Sequence, residues 1–507
     1  MSYHINIVEY FEENLEKFSE RIAVQDTTGN ITFKQLHDRI LSLASYISNE
    51  LHITNSVIGV LCPKSIESVV ADFAIMYSGN AYMNLDVNNP PKRKEAIINQ
   101  VKPACILSFS KYNFENVSNI RFINCFDVNY SLPEPSTYSF SALKDQIDME
   151  PLCVINTSGS TGLPKAVVLN HRSFIDFIEA VRYEKLISDQ EIIGSLSPIV
   201  FDIYSFELCM MACWGSTLCV IPEMYAAFPA KLLDYIKSQN VTYLFWVPTI
   251  MVNIANMNLL EKFDLSSLRM VWFAGEVFPT AKFNYWYTHL PNCRFANFYG
   301  PIEITLDCLF YEIKSKLEDS NPIPIGRPFR NTSVMVLDDE NKLILDESEG
   351  ELCIRGSSLA MGYYANKEKT SIAFVQNPLN TNYPEIIYKT GDIVSKRADG
   401  NYIFKGRKDT LVKRMGYRIE LAEIEHVIVE KLKIVKNCCV LYNQMTKDII
   451  LVYEAEHPIL PRDIQKQIMQ ILPKYMVPTK FEYLELMPKN ANGKIDRNLL
   501  KEKYVGA

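Results

Sequence analysis

Much is missing from this chain, and each gap closes off a class of function. No apolar run approaches the roughly 18 residues that span a bilayer. Residues 1–18 alternate acids with apolar residues, where a secretory leader would follow a basic start with an apolar core. Twelve cysteines occur without C-x-x-C spacing, so zinc-ribbon and thioredoxin-like patterns are absent. The adjacent Cys438 and Cys439 read as small buried apolar residues, and a reducing cytoplasm is the expected compartment. A net charge of −7 argues against general nucleic-acid binding. Low-complexity tracts and internal repeats are also lacking, which excludes disordered and solenoid architectures.

The 507 residues suffice for two or three domains, each with its own core. Charge is unevenly spread: residues 405–507 carry +6, leaving −13 on the remainder. A basic terminal segment on an acidic body suits a separate module that meets an acidic partner, although a mixed solvated surface explains it equally well. Thr32 and Gln35 form a capping box ahead of Leu36, Ile40, Leu43 and Ile47, which share one helix face. Strand-like runs over 56–62, 152–155, 242–246, 270–273 and 294–298 end in polar or glycine-bearing residues, with helical stretches between them. That alternation predicts an α/β body with ligand groups gathered at strand ends. Beyond about residue 320 the pattern turns β-rich, and an α+β pattern begins after Gly406, which sets a boundary near Asp409.

The run Asn156-Thr157-Ser158-Gly159-Ser160-Thr161-Gly162-Leu163-Pro164-Lys165 carries the strongest local signal. Two glycines let backbone approach a ligand, hydroxyl and amide groups donate hydrogen bonds, and one lysine adds charge. A P-loop would need G-x-x-x-x-G-K-[ST]. Here Gly159 and Gly162 are three apart, Lys165 lies three further on, and Ala166 follows it. The loop suits phosphate, but it is not the loop of kinases and switch GTPases.

Seven motifs in order, covering roughly residues 25 to 500, resemble the adenylate-forming ligases, the superfamily of acyl-CoA synthetases, luciferases and peptide-synthetase adenylation domains. The run 156–165 resembles the family's phosphate loop, and Tyr299-Gly300-Pro301-Ile302-Glu303 its Y-G-P-T-E element. Tyr388-Lys389-Thr390-Gly391-Asp392 resembles Y-x-T-G-D, and Gly406-Arg407-Lys408-Asp409 the hinge. Gly416-Tyr417-Arg418-Ile419-Glu420 is similar to the loop after the hinge, Asn492-Gly493-Lys494-Ile495-Asp496 to the terminal lysine motif, and Gly79-Asn80-Ala81-Tyr82 with Leu85, Asp86 and Arg93 to the early G-A-Y element.

The resemblance implies a large α/β N-terminal body of sheets and helices with a β-rich subdomain (1–408) and a small mobile α+β C-terminal lid (409–507). It implies ATP and Mg²⁺ as cofactors, with Thr157, Ser158, Gly159, Ser160, Thr161, Gly162 and Lys165 around the β- and γ-phosphates. Glu303 would hold the metal, Tyr299 would stack on adenine, and Asp392 with Arg407 would hold the ribose. Gly275, Glu276, Phe298 and Gly300 complete the expected ATP site. Lys494, an ordinary surface lysine if taken alone, becomes the expected catalytic cation between carboxylate and α-phosphate. After adenylation the lid turns about Asp409, and Gly416 enters to open a path for a thiol.

Phe201-Asp202 followed by Ile203-Tyr204-Ser205 resembles the element of amino-acid-activating members, where the aspartate pairs with the substrate's ammonium. By motif the remaining pocket positions are Ile203, Phe206, Phe245, Trp272, Ala274, Phe298, Leu306 and Asp307. The aromatics favour a compact side chain, with L-proline first and alanine next. Asp307 faces a second polar group on the substrate or turns to water. The expected activity is formation of an aminoacyl adenylate, followed by thioester transfer to a separate acyl or peptidyl carrier protein. No condensation-like segment precedes residue 25 and ten residues follow Arg497, so a stand-alone enzyme is expected. Ile302, Ala166 and Met415 depart from the family's threonine, glycine and arginine. The alternatives are a D-alanine–carrier-protein ligase, an acyl- or aryl-CoA synthetase, and a non-catalytic nucleotide-binding homologue.

Overall fold

The computed structural model describes residues 4–109, 117, 120–125, 134–157, 164–408, 411–488 and 495–506. The α/β body, β-rich middle and α+β end follow one another as the sequence pattern predicts. The Thr32–Gln35 capping box forms, with the Gln35 N–H bonded to Thr32 Oγ1 at 3.2 Å and the Thr32 N–H to Gln35 Oε1 at 3.0 Å. It opens the helix Phe33–Ser45, whose Leu36, Ile40 and Leu43 are buried.

Two large sheets organise the body. The nine-stranded one has a parallel centre in which Arg294–Tyr299, Met270–Ala274, Tyr243–Trp246, Ile192–Ser195, Thr217–Val220 and Ile22–Asp26 lie side by side. Strands covered on both faces read as continuous apolar runs, and Tyr243–Trp246 and Met270–Ala274 are buried throughout. Side chains alternate between faces, so neighbours on one strand feed different cores. Phe245, Trp272 and Phe298 enter one core, while Leu244, Val271 and Phe273 enter the other. The seven-stranded sheet contains Ala81–Asn84, Pro151–Thr157 and Lys165–Asn170. A five-stranded antiparallel sheet, including Ile386–Lys396 and Tyr402–Arg407, forms the β-rich part.

The hairpin Leu411–Arg414 and Tyr417–Glu420 follows. The C-terminal residues then build a core of their own from Ile419, Ile424, Val440, Leu451 and Ile464, behind a three-stranded sheet. All twelve cysteines are buried and none is in a disulfide. Among the described residues no helix is long and apolar enough to cross a membrane.

One local expectation changes. The predicted short strand over 152–155 runs on to Thr157, and Lys165 is not a loop residue: it opens the next strand, paired in register with Thr157. A continuous apolar run, Ala166 to Leu169, buried throughout, carries that strand, and it pairs antiparallel with Pro151–Thr157.

Candidate active site

Strand ends and helix starts converge on one cavity. Asp202 is the first residue of the helix Asp202–Trp214, and its Oδ1 accepts the Ile203 N–H at 3.0 Å. Ala274 ends its strand, and Gly275 follows at φ +90°, a conformation that L side chains rarely adopt. Gly300 succeeds the strand Arg294–Tyr299, and Glu303 sits in the short 3₁₀ turn Ile302–Ile304. Asn156, Thr157, Asp202, Ile203, Ala274 and Gly275 line the cavity, as do Gly300, Leu306, Asp307, Asp392 and Arg407.

Asp392 and Arg407 are cross-strand partners and form an ion pair. Arg407 also donates to the Thr390 carbonyl at 3.1 Å. The Tyr299 hydroxyl donates to the other Asp392 oxygen. Burial and then Asp392 hold the Tyr299 phenol well above its ordinary value, so it stays a donor.

Glu303 has no exposed surface. Burial pushes its carboxyl up, but Arg418 at 2.6 Å and the Tyr363 hydroxyl at 2.8 Å outweigh that and hold it at about 2. Asp202 moves the opposite way. Burial lifts it to about 6; the Ile203 N–H, the charge of Lys413 and its own N–H counter the rise, and the charge of Glu303 adds to it. Asp307 is 4% exposed and is raised further from its ordinary value, by burial and then by Asp202. Lys413 is lowered by its burial although Asp392 and Asp307 attract it.

The C-terminal hairpin closes this cavity. Gly416 donates its N–H to Glu276 Oε1 at 3.2 Å, and Glu276 Oε2 accepts the Thr249 N–H at 3.1 Å. At φ +81°, Gly416 sits so close to Val247 that a Cβ would lie 2.7 Å from its Cγ1. Tyr417 meets Phe201 edge-on with centroids 5.0 Å apart and stacks on Tyr475 at 3.7 Å. Lys165 lies 3.4 Å from Glu420, and Arg93 pairs with Glu423. Lys413 and Arg418 also line the cavity.

Four expected pocket aromatics stand elsewhere. Phe206, Phe245, Trp272 and Phe298 are at most 2% exposed and pack on one another rather than lining the cavity. Trp272 stacks on Phe298 at 4.3 Å and on Phe206 at 6.0 Å, with Phe245 edge-on at 5.5 Å. Ser158, Gly159, Ser160, Thr161, Gly162, Asp409 and Lys494 lie outside the described residues. Lys413, Tyr363 and Glu423 carry no local sequence signal. Arg93 and Arg418 lie in family-like motifs, but their pairing with Glu423 and Glu303 is not encoded there, because those partners are distant in the chain.

Backbone strain marks the segment after Glu303. Thr305 and Leu306 adopt φ of +53° and +66°, the former β-branched. The bend brings the Leu306 carbonyl against Gly300, where a Cβ would lie 2.2 Å from that oxygen and 2.4 Å from Asp307 Cα.

A family model described as "AMP-binding enzyme" matches residues 11–364. The chain is 31% identical over 506 residues to zwittermicin A synthase ZmaJ of Bacillus cereus, covering 97% of this chain and 94% of that protein. It is 29% identical over 509 residues to tyrocidine synthase 1 of Brevibacillus parabrevis, covering 98% of this chain but only 45% of the longer relative. The fold matches holo-PA1221, described as an NRPS protein containing adenylation and PCP domains, with TM-score 0.84 and 22% identity over 99% of this chain and 84% of that one. It also matches the Vibrio cholerae adenylation domain AlmE, solved in complex with glycyl-adenosine-5'-phosphate, with TM-score 0.83 and 20% identity over 100% and 99%. At those identities the structural likeness speaks for the fold alone.

Two variants test the geometry. Gly300→Ala forces the Leu306–Asp307 backbone to move and is expected to cost about 1–3 kcal/mol, seen as a lower Tm; an unchanged Tm would contradict the close approach. For Asp202, a folded-state value near 6 against 3.8 means the folded protein holds a proton that the unfolded chain releases, so stability falls as pH rises from about 4 to 6. The penalty at neutral pH is at most about 3 kcal/mol, reduced by solvent screening because Asp202 is only half-buried. Asp202→Asn is therefore expected to raise the Tm of the unliganded protein at pH 7.5 and leave it nearly unchanged at pH 4. Equal effects at both pH values would remove the burial argument.

Proposed function

Because this chain belongs to the AMP-binding enzyme family, we propose that it activates a small amino acid as an aminoacyl adenylate and hands it to the thiol of a separate carrier protein. The chain is an adenylate-forming ligase, and such enzymes use ATP. The amino-acid reading is carried by Asp202, a carboxylate that forms no ion pair among the described residues and shares a cavity with the Asp392–Arg407 pair. An ammonium group there would satisfy it, where a fatty or aryl acid would leave it desolvated.

In the first half-reaction a substrate carboxylate oxygen forms a bond to the α-phosphorus of ATP, and the bond from phosphorus to pyrophosphate breaks. Both reactants are anions, so the chain contributes positioning and charge. Asp392, oriented by Arg407 and Tyr299, is set to accept the ribose hydroxyls, and the Tyr299 ring to meet adenine. Thr157, the loop 158–162 and Lys165 are assigned to the β- and γ-phosphates, and Lys494 to the reacting carboxylate and α-phosphate. Gly275, Glu276 and Gly300 border the nucleotide.

Among the described residues no cluster of three or more metal-ligating side chains exists. Glu303 is ionised and buried, so it fits Mg²⁺ that completes its shell with phosphate oxygens and water. Bound there, the ion would neutralise charge on the leaving pyrophosphate. Arg418 must first release Glu303, and Lys165 must release Glu420 to reach phosphate. The closed hairpin and the triphosphate therefore exclude one another. That supports a lid of residues 409–507 turning at Asp409 on a core of 1–408, with the present geometry belonging to the second half-reaction. There the carrier thiol attacks the acyl carbon, a carbon–sulfur bond forms, the bond to the phosphate oxygen breaks, and AMP departs. Gly416 marks the thiol's path.

The apolar lining from Ile203, Ala274 and Leu306 suits a compact substrate, for which proline and alanine are the first candidates. PA1221 joins adenylation and PCP domains in one protein, and the +6 charge of residues 405–507 favours an acidic carrier acting in trans. A cytoplasmic enzyme of nonribosomal peptide synthesis fits these features.

Amino-acid-dependent ATP–pyrophosphate exchange tests the reading. Lys494→Ala is expected to lower exchange at least about 100-fold while ATP still binds; exchange at the wild-type rate would sink the assignment. Asp202→Ala is expected to lower amino-acid exchange by a similar factor without loss of folding. Exchange driven by fatty or aryl acids instead would replace the proposal with a CoA synthetase.

A further inference from the structure

Residues 196–201 join the strand Ile192–Ser195 of the nine-stranded sheet to the helix that Asp202 opens. Val200 and Phe201 line the cavity, and Phe201 is the ring that Tyr417 meets. The segment forms neither strand nor helix, so its backbone carbonyls need donors from elsewhere.

A lysine from the other large sheet supplies them. Lys64 stands between the strand Val57–Leu61 and the helix Ile66–Tyr77. Its Nζ donates to the Ser195 carbonyl at 2.9 Å and to the Ser197 carbonyl at 2.6 Å. The same ammonium lies 4.0 Å from Glu207 and 5.5 Å from the Tyr204 ring centroid, both on the helix Asp202–Trp214. Glu207 in turn accepts the Ser195 hydroxyl. The two charged side chains are 2% and 0% exposed. A second brace stands beside this one. Asn84 Nδ2 donates to the Ile199 carbonyl at 3.3 Å and to Asp72 at 3.1 Å, and the Tyr204 hydroxyl reaches the same Asp72 oxygen at 3.0 Å. Lys64 thus grips both sides of the joint, the carbonyls before it and the carboxylate beyond it. It does not line the cavity, so its buried charge acts through what it holds.

We infer that Lys64 is a positioning residue for substrate recognition: by tying residues 195–197 to Glu207 it fixes where Asp202 stands in the cavity. This rests on the amino-acid reading, in which Asp202 takes the α-ammonium. A buried ion pair is kept at a desolvation cost, and here that cost is matched by the geometry it imposes. Asp392, Arg407 and Tyr299, the residues assigned to the nucleotide, sit on other strands. Loss of the clamp therefore displaces the ammonium's partner and leaves the nucleotide's in place.

ATP–pyrophosphate exchange by the full chain tests this, with KM measured separately for ATP and for the most active of the common protein amino acids and D-alanine. Lys64→Met is expected to raise the amino-acid KM roughly ten- to a hundredfold. The ATP KM should move by less than about twofold. Lys64→Arg, which keeps the charge and its donors, should recover most of the loss. A purely structural role would lower the active fraction, and with it kcat, without separating the two KM values. If Lys64→Met fails to fold, the double variant Lys64→Met with Glu207→Gln, in which no charge is stranded, should show the same split. An amino-acid KM within about twofold of wild type in a folded variant, or both KM values rising together, overturns this inference and leaves amino-acid activation standing. Exchange with no amino acid in the wild type overturns that reading, and the inference with it.

Discussion

Glu303 remains an ion inside this protein because Arg418 and Tyr363 bond it, and the contents of the cleft depend on that bond. An unpaired charge at zero exposure would cost several kcal/mol, and removing one partner of a buried pair costs more than the pair itself contributes. The hairpin carrying Arg418 is consequently drawn onto the body. With it come Lys413 in the cavity, Gly416 against Val247 and Glu276, and Glu420 beside Lys165. Arg93 and Glu423 add a second buried pair across the same seam. A cation at Glu303 would release the hairpin without stranding a charge. On the proposed reading the same carboxylate serves in turn as the hairpin's anchor and as a metal site.

The shape of the substrate end follows from the period of a β-strand. Side chains on Tyr243–Trp246, Met270–Ala274 and Arg294–Tyr299 alternate between two cores. One set of alternate positions supplies Phe245, Trp272 and Phe298, which condense with Phe206 into a block of rings. Ala274, two residues past Trp272 on the same strand face, is small enough to leave open space. The cavity begins where the block ends.

How far the residues alone disclosed this differs from motif to motif. Tyr299, Asp392 and Arg407 were legible as a set because each lies in its own short pattern, and folding brings the three into one bonded group. Lys165 was legible as a residue but not as a strand position, since the glycines and hydroxyls before it drew the reading of a loop past the start of the apolar run that follows. Lys413 and Arg418 sit on a four-residue strand pair whose composition resembles any exposed hairpin. Their meaning comes from Glu303 and Asp392, and no local pattern encodes a partner so far along the chain. The aromatic pocket positions were correctly chosen as neighbours of one another, yet sequence cannot say which atoms face a void and which face another ring.

Three acids in or beside this cavity separate the satisfied from the unsatisfied. Glu303, Asp202 and Asp307 all experience the upward push of burial. Glu303 ends near 2 because a guanidinium and a phenol bond it directly. Asp202 ends near 6 because two backbone N–H groups and the charge of Lys413 do not suffice. Asp307 rises further still, with Asp202 as a like-charged neighbour. Environment, not residue type, sets these values, and opposite shifts within one cavity divide roles among chemically similar groups. On the proposed reading, the carboxylate that the protein has already paired belongs to its conformational cycle, and the counter-group of Asp202, which forms no ion pair among the described residues, arrives with the substrate.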